Sequence, residues 1–214
     1  MLYIVRHGQT AKNKKMLLQG RSDQTLNEEG WNQARQIADK LREKGIEFDR
    51  IYSSPLIRAV QTAQIIADEI ILRRDEAGDA AGHPASVQTS SVITDERLIE
   101  MDYGPYEGMD LTDPAPEVMA FFRDFAGTPA PEGMEQLSDV VARTGGFADE
   151  VLAEAAEGNV LISTHAIAMK GILEHLTPDS AGAYWSRYIG NCEVYAVEAD
   201  SEGYGIPYGF ISLE

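Results

Sequence analysis

The chain of 214 residues has one cysteine, four histidines and no long apolar run, and each shortage removes a class of function. Cys192 alone forms no internal disulfide, so a reducing environment fits the chain. The histidines His7, His83, His165 and His175 lie far apart, with no cysteine cluster and no His-Glu-x-x-His spacing. No metal site is therefore expected, and no cofactor motif is present. No stretch approaches the ~18 apolar residues of a membrane span, and no basic leader precedes "MLYIVRHG". A cytoplasmic protein is expected. Positive charge is also scarce beyond residue 74. The net charge is −17, yet residues 1–74 hold 13 of the 18 lysines and arginines and carry +4, leaving −21 on the rest. An acidic body of this kind excludes nucleic acid and anionic membrane surfaces as partners, because both need a cationic footprint. A cationic N-terminal third remains, able to hold a small anion.

Alternating strand and helix patterns are present. "LYIV" is an apolar, β-branched run, followed by "TLNEEGWNQARQIADKLREKG", in which Thr25 and Glu28 form a capping box. Apolar residues recur there at Trp31, Ala34, Ile37, Ala38 and Leu41, predicting an amphipathic helix up to Gly45. "FDRIYSS" reads as a strand, and "PLIRAVQTAQIIADEI" as a helix capped by Ser54 with Pro55 in its first turn. "NVLISTH", "CEVYAVEA" and "PYGFISL" read as strands, with a helix over "AIAMKGILEHL". This order predicts an α/β three-layer sandwich: a mostly parallel central sheet with helices on both faces.

The middle breaks the rhythm. Residues 73–90 are polar and small, reading as a long surface loop in which His83 is incidental. Residues 114–157 show two helical patterns, the second interrupted by Gly145 and Gly146, where a kink is expected. These helices read as a lid. His175, inside a helix, reads as packing, and no internal repeat is found.

Two of the apolar strands end at a histidine, His7 and His165. In an open α/β sheet, ligands bind beyond the carboxyl ends of the parallel strands, so the two side chains can meet there. Arg58 lies in the first turn after "YSSP", where free backbone N–H groups and the helix dipole favour an anion. Arg6, His7, Arg58 and His165 thus make a site suited to a dianionic phosphate, with two guanidiniums offering paired donors.

"RHGQT" with Asn13, "QG" at Gln19 and Gly20, Asp23, Leu26, Gly30, "SSPLIRAVQTA", "LIEMDYGPYEG" and "VLISTHA" occur in one order along most of the chain. In this set the sequence resembles the histidine phosphatase superfamily, in its phosphoglycerate mutase-like branch. The resemblance implies one such domain over residues 1–214, with about 95–157 forming the active-site loop and a helical lid. It implies that His7 is a nucleophile forming a phosphohistidine and that Arg6, Arg58 and His165 hold the phosphoryl oxygens. Asn13, Gln19, Gly20 and Ala166 fall in the same phosphate-binding set, and Glu100 matches the general acid. Asp95, Glu96 and Asp102 are neighbouring carboxylates, with Glu107 the runner-up.

The chemistry suits these residue types. Phosphoryl transfer needs an in-line nucleophile and fixed positive charge, and a neutral imidazole is a competent nucleophile. An alkoxide leaving group needs a proton from a carboxylic acid, which can later activate water as a base. Cys192 has no arginine six positions on, so thiol chemistry is not expected. Three departures from the family stand out. Ala166 replaces the usual glycine after His165, "PEGMEQL" lacks a clear Gly-Glu-Ser, and Met101-Asp102 stand where mutases carry Arg-His. The implied activity is hydrolysis of a small phosphorylated metabolite without metal or cofactor. Mutase and idle phosphate-binding readings are the alternatives, and a homo-oligomer is left open.

Overall fold

In the computed structural model, which describes residues 1–77 and 92–213, "LYIVR" forms β1 (Leu2–Arg6) with both faces covered. Its partners are β2 (Arg50–Ser53), β3 (Ile93–Thr94), β4 (Val160–Thr164), β5 (Val194–Val197) and β8 (Tyr208–Ile211), in the order β3-β2-β4-β1-β5-β8. β3, β2, β4 and β1 run parallel, and β5 and β8 each pair antiparallel with the preceding strand. A separate hairpin of β6 (Ala199–Asp200) and β7 (Gly203–Tyr204) lies outside this sheet.

The pleat divides the core. Tyr3 and Val5 face α2 (Glu28–Glu43) and α3 (Ile57–Ala77), packing with Ala34, Ile37, Leu41 and Ile66. Leu2 and Ile4 face the other way, toward Phe147 on α5 (Leu137–Glu150) and Met169 and Ile172 on α7 (Ala166–Leu176). Burying a side chain such as Ile4 or Ile162 contributes on the order of 2 kcal/mol. A third apolar cluster joins Leu18, Met101, Phe121 of α4 (Pro116–Arg123), Ile167 and Trp185. The three-layer arrangement is thus the expected α/β fold.

Several local expectations are corrected. The cap of α2 is Asn27, whose side chain accepts from Gly30 N at 2.8 Å, and Thr25 is exposed. Asn27 is also bonded to Gln9 by its backbone N–H and its amide, which ties the helix start to the loop after β1. Trp31 is 38% exposed, because Gly30 takes the inward position against the Gln9 backbone. α3 begins at Ile57, whose N–H is capped by Asp23 at 2.8 Å, while Ser54 Oγ accepts from Leu56 N. α3 continues to Ala77, into the stretch read as a loop; the rest of that loop, with His83, lies outside the described residues.

α5 runs through Gly145 and Gly146 and stops at Val151, before the short α6 (Leu152–Glu157). Gly145 is there for contact: a Cβ would stand 2.3 Å from the His175 ring of α7. His175 Nε2 pairs with Asp149 at 2.9 Å. Among the described residues, no helix is long and apolar enough to cross a membrane.

Candidate active site

Register places the two histidines side by side. Arg6 pairs with Thr164 across β1 and β4, so His7 and His165 follow at level positions beyond the strand ends. His7 N donates to Thr164 O at 2.9 Å, and the two rings meet edge to face with centroids 5.1 Å apart. Both side chains are buried.

The loop after β1 sets the chemistry of His7. Its Nδ1 lies 2.7 Å from Gly8 O, which can only accept, so this nitrogen carries the proton and Nε2 keeps its lone pair. Asn191 Nδ2 donates to His7 O at 2.8 Å, and Gly8 N donates to Thr62 Oγ1 at 3.0 Å. Only glycine fits at position 8, where a Cβ would be 2.5 Å from Gly30 O.

Arg58, in the first turn of α3, is fully buried and faces that lone pair. Its Nε is 3.2 Å from His7 Nε2, while Nη1 donates to Ser22 O at 2.9 Å and Nη2 to Gly20 O at 2.6 Å. Burial pulls its pKa below the ordinary arginine value, opposed by the charges of Glu100, Asp23 and Glu107. Burial first, then Arg58 and Arg6, hold the His7 pKa well below the usual imidazole value. For His165 the causes are burial, Arg58, His7 and Arg6. Both rings are therefore neutral near pH 7.

His165 is the N-cap residue of α7, with Nε2 2.7 Å from Ser54 Oγ and Nδ1 buried without a partner among the described residues. Arg6 donates through Nη1 to Ile189 O at 2.5 Å, and its Nε is likewise buried and unpartnered. Gln19 Oε1 accepts from Thr10 Oγ1 at 2.6 Å, leaving Nε2 unpartnered among the described residues. Arg6 Nε and Gln19 Nε2 are donors, and buried donors without acceptors are costly, so these two nitrogens suit an incoming oxyanion.

Glu100 is buried where the third apolar cluster meets α7. Its Oε1 accepts from Met101 N at 2.9 Å and Ala168 N at 3.0 Å, and its Oε2 from Ile167 N at 3.2 Å. It thereby caps the helix that Ala166 opens, a favourable place for a carboxylate. Asn13 is engaged within α1 (Ala11–Lys14), its Oδ1 accepting from Thr10 N and its N–H donating to Thr10 Oγ1, both at 3.2 Å. Glu107 lies on the other side of Gly20, its Oε2 accepting from Gly20 N at 2.9 Å.

Sequence reading did not find Ser54 beside His165, Thr62, Asn191 or the Glu107 contacts. Ser54 stands in the quoted "SSPLIRAVQTA", but its position there points to a helix cap. Three cations of the surrounding chain are paired with carboxylates. Lys12 pairs with Glu107 at 3.1 Å, Arg21 with Asp102 at 3.3 Å and Glu135 at 3.4 Å, and Arg143 with Glu135 at 2.7 Å.

The model of the histidine phosphatase superfamily (branch 1) matches residues 2–207. A broad-specificity phosphatase of Saccharomyces cerevisiae is 32% identical over 190 residues, 86% of this chain and 73% of that protein. A 2,3-bisphosphoglycerate-dependent phosphoglycerate mutase of Azorhizobium caulinodans is 31% identical over 189 residues, 84% of each. Among solved structures, a mycobacterial glucosyl-3-phosphoglycerate phosphatase in complex with VO3 superposes with a TM-score of 0.73 at 25% identity, over 92% of this chain and 91% of that one.

Proposed function

Because the chain belongs to branch 1 of the histidine phosphatase superfamily, we propose that it hydrolyses small phosphate monoesters through a phosphohistidine at His7. The observation that carries this reading is the fixed tautomer of His7: the Gly8 carbonyl holds the proton on Nδ1, and the Nε2 lone pair faces Arg58.

In the proposed reaction Nε2 attacks phosphorus as the P–O bond to the leaving group breaks. Glu100, as the acid, gives its proton to the departing oxygen, and the resulting carboxylate then takes a proton from water as that water attacks the phosphohistidine. Inorganic phosphate leaves and His7 is restored. Each Arg58 amino group has one N–H committed to a carbonyl and one still available for a phosphoryl oxygen. When phosphorus takes the His7 lone pair, Arg58 Nε is released to bond oxygen as well. With Ser54 Oγ–H donating to Nε2, His165 presents Nδ1–H, and Arg6 Nε and Gln19 Nε2 add further donors. Positive charge at these oxygens stabilises the transferring group.

Three paired cations support a substrate without a second anionic group. With Lys12, Arg21 and Arg143 each bound to a carboxylate, a second anionic group on the substrate finds no ready partner among them. This supports a phosphatase over a mutase that must also hold a carboxylate. We take residues 1–214 as one domain, with 95–157 as the active-site loop and lid, supported by the third apolar cluster, which joins Met101, Phe121 and Val140 of that stretch to Leu18, Ile167 and Trp185.

An assay following both products tests the reading. The purified protein is expected to release phosphate from simple monoesters with neither bisphosphate primer nor added metal, and to interconvert 2- and 3-phosphoglycerate negligibly. Isomer exchange outrunning phosphate release makes it a mutase. Labelled substrate quenched during turnover is expected to mark His7, and His7→Ala to lower the rate at least ~10³-fold.

A further inference from the structure

We infer that Glu107 is a positioning residue for Arg58, acting through the strap Gly20-Arg21-Ser22 and not through proton transfer. The inference rests on the proposed role of Arg58 as a phosphate holder.

The strap is irregular chain, and its two outer carbonyls, Gly20 O and Ser22 O, are the groups that grip the Arg58 guanidinium. Two of its donors, one at each end, converge on one carboxylate. Gly20 N donates to Glu107 Oε2 at 2.9 Å, and Ser22 Oγ donates to Glu107 Oε1 at 2.5 Å. Lys12 Nζ closes the network, 2.7 Å from Ser22 Oγ and 3.1 Å from Glu107 Oε1. Glu107 therefore holds both ends of the strap from behind, while the strap holds Arg58 in front.

Backbone pairing puts the carboxylate there. Leu18 N donates to Met109 O and Gly108 N to Leu18 O, both at 2.8 Å, so the chain before the strap runs beside the chain after Glu107. Gly20 permits the close approach, since a Cβ would be 2.6 Å from Met101 O and 2.8 Å from Glu107 Oε2. Just beyond the strap, Asp23 caps Ile57 N, tying it to the helix that carries Arg58.

Glu107 accepts from three donors, as Glu100 does, but one of its three is the Lys12 ammonium and the other two belong to the strap. A general acid must face the leaving group, whereas this carboxylate faces the strap. Loss of its negative charge frees both strap carbonyls, and the guanidinium moves with them. Arg58 acts on phosphoryl oxygens, so the loss is felt whatever the leaving group. A displacement of about 1 Å in such a clamp can cost about 100-fold in rate.

The test compares Glu107→Gln and the milder Ser22→Ala with Glu100→Gln on p-nitrophenyl phosphate and an alkyl phosphate, together with vanadate inhibition. Glu107→Gln is expected to lower kcat/KM for both esters by one common factor, about 10- to 100-fold, and to weaken vanadate inhibition comparably. Ser22→Ala is expected to show the same pattern in smaller measure. A loss confined to the alkyl ester makes Glu107 the acid and overturns the inference. So does unchanged vanadate inhibition in a folded Glu107→Gln protein. The Arg58 Nε–H resonance gives a reading independent of turnover: it is expected to shift in Glu107→Gln, and an unmoved signal also overturns the inference. If the wild type lacks phosphatase activity yet the resonance shifts, the proposed function fails while the positioning of Arg58 stands.

Discussion

Arg58 Nε stands 3.2 Å from His7 Nε2, a buried cation set against the lone pair of a neutral ring. Protonating that nitrogen would bring two positive N–H groups together out of water, so the geometry disfavours imidazolium.

The first prediction concerns pH. His7 and His165 are held neutral by burial and by the arginines, while in the unfolded chain each titrates near about 6.5. Below that value the unfolded chain binds more protons than the folded one. The contribution to stability is therefore full above about pH 6.5 and is lost as pH falls toward the lower folded pKa. Urea midpoints are expected to fall on acidification through this window, with a shallower slope in His165→Gln. Nitrogen-15 spectra near pH 6 are expected to show His7 as the neutral Nδ1–H tautomer; an imidazolium pattern there refutes the assignment.

Glu100→Gln should separate two effects. Turnover of an alkyl phosphate is expected to fall roughly 10²- to 10⁴-fold, with a much smaller effect on phosphorylation by p-nitrophenyl phosphate, whose leaving group hardly needs a proton. Both Glu100 oxygens accept backbone N–H groups, so the new amide NH₂ must face one of them. A stability loss of about 1–3 kcal/mol is expected as well, the same whatever substrate is used. Equal rate losses on both esters would remove Glu100 from the role of acid.

A pair of glycine substitutions should have opposite signs. At Gly30 an added Cβ stands 2.2 Å from Gln9 O, backbone against backbone, so Gly30→Ala is expected to destabilise by about 1–3 kcal/mol despite better helix propensity. The shifted Gln9 loop should also lower activity. Gly146 on α5 is exposed and, among the described residues, has nothing within 4 Å of that position. Gly146→Ala is expected to stabilise by up to about 1 kcal/mol. Thermal unfolding of the two variants checks both; a stabilised Gly30→Ala would show that the loop yields freely.

The sheet and the meeting of His7, His165 and Arg58 were legible in linear order because each depends on short-range patterning. An apolar run buried on both faces needs no distant information to be read as a parallel strand, and parallel strands present their ends on one side. The same holds for Arg58, whose place follows from the helix start after "YSSP". Reading failed where a bond crosses between segments. Thr25 and Glu28 matched a local capping pattern, but Asn27 won because Gln9 is beside it. The kink expected at Gly145 depends on propensity, which packing overrides when His175 of α7 fills the space of a side chain. Asp23 on Ile57, Ser54 on His165 and Glu107 on Gly20 join groups 34, 111 and 87 residues apart. Periodicity reports which face of an element is apolar; it carries no information about which polar group another segment will bring to it. Glu100 and Glu107 are both carboxylates in one short stretch, and their difference arises only when folding sets the first against the N-terminus of α7 and the second behind the strap that holds Arg58.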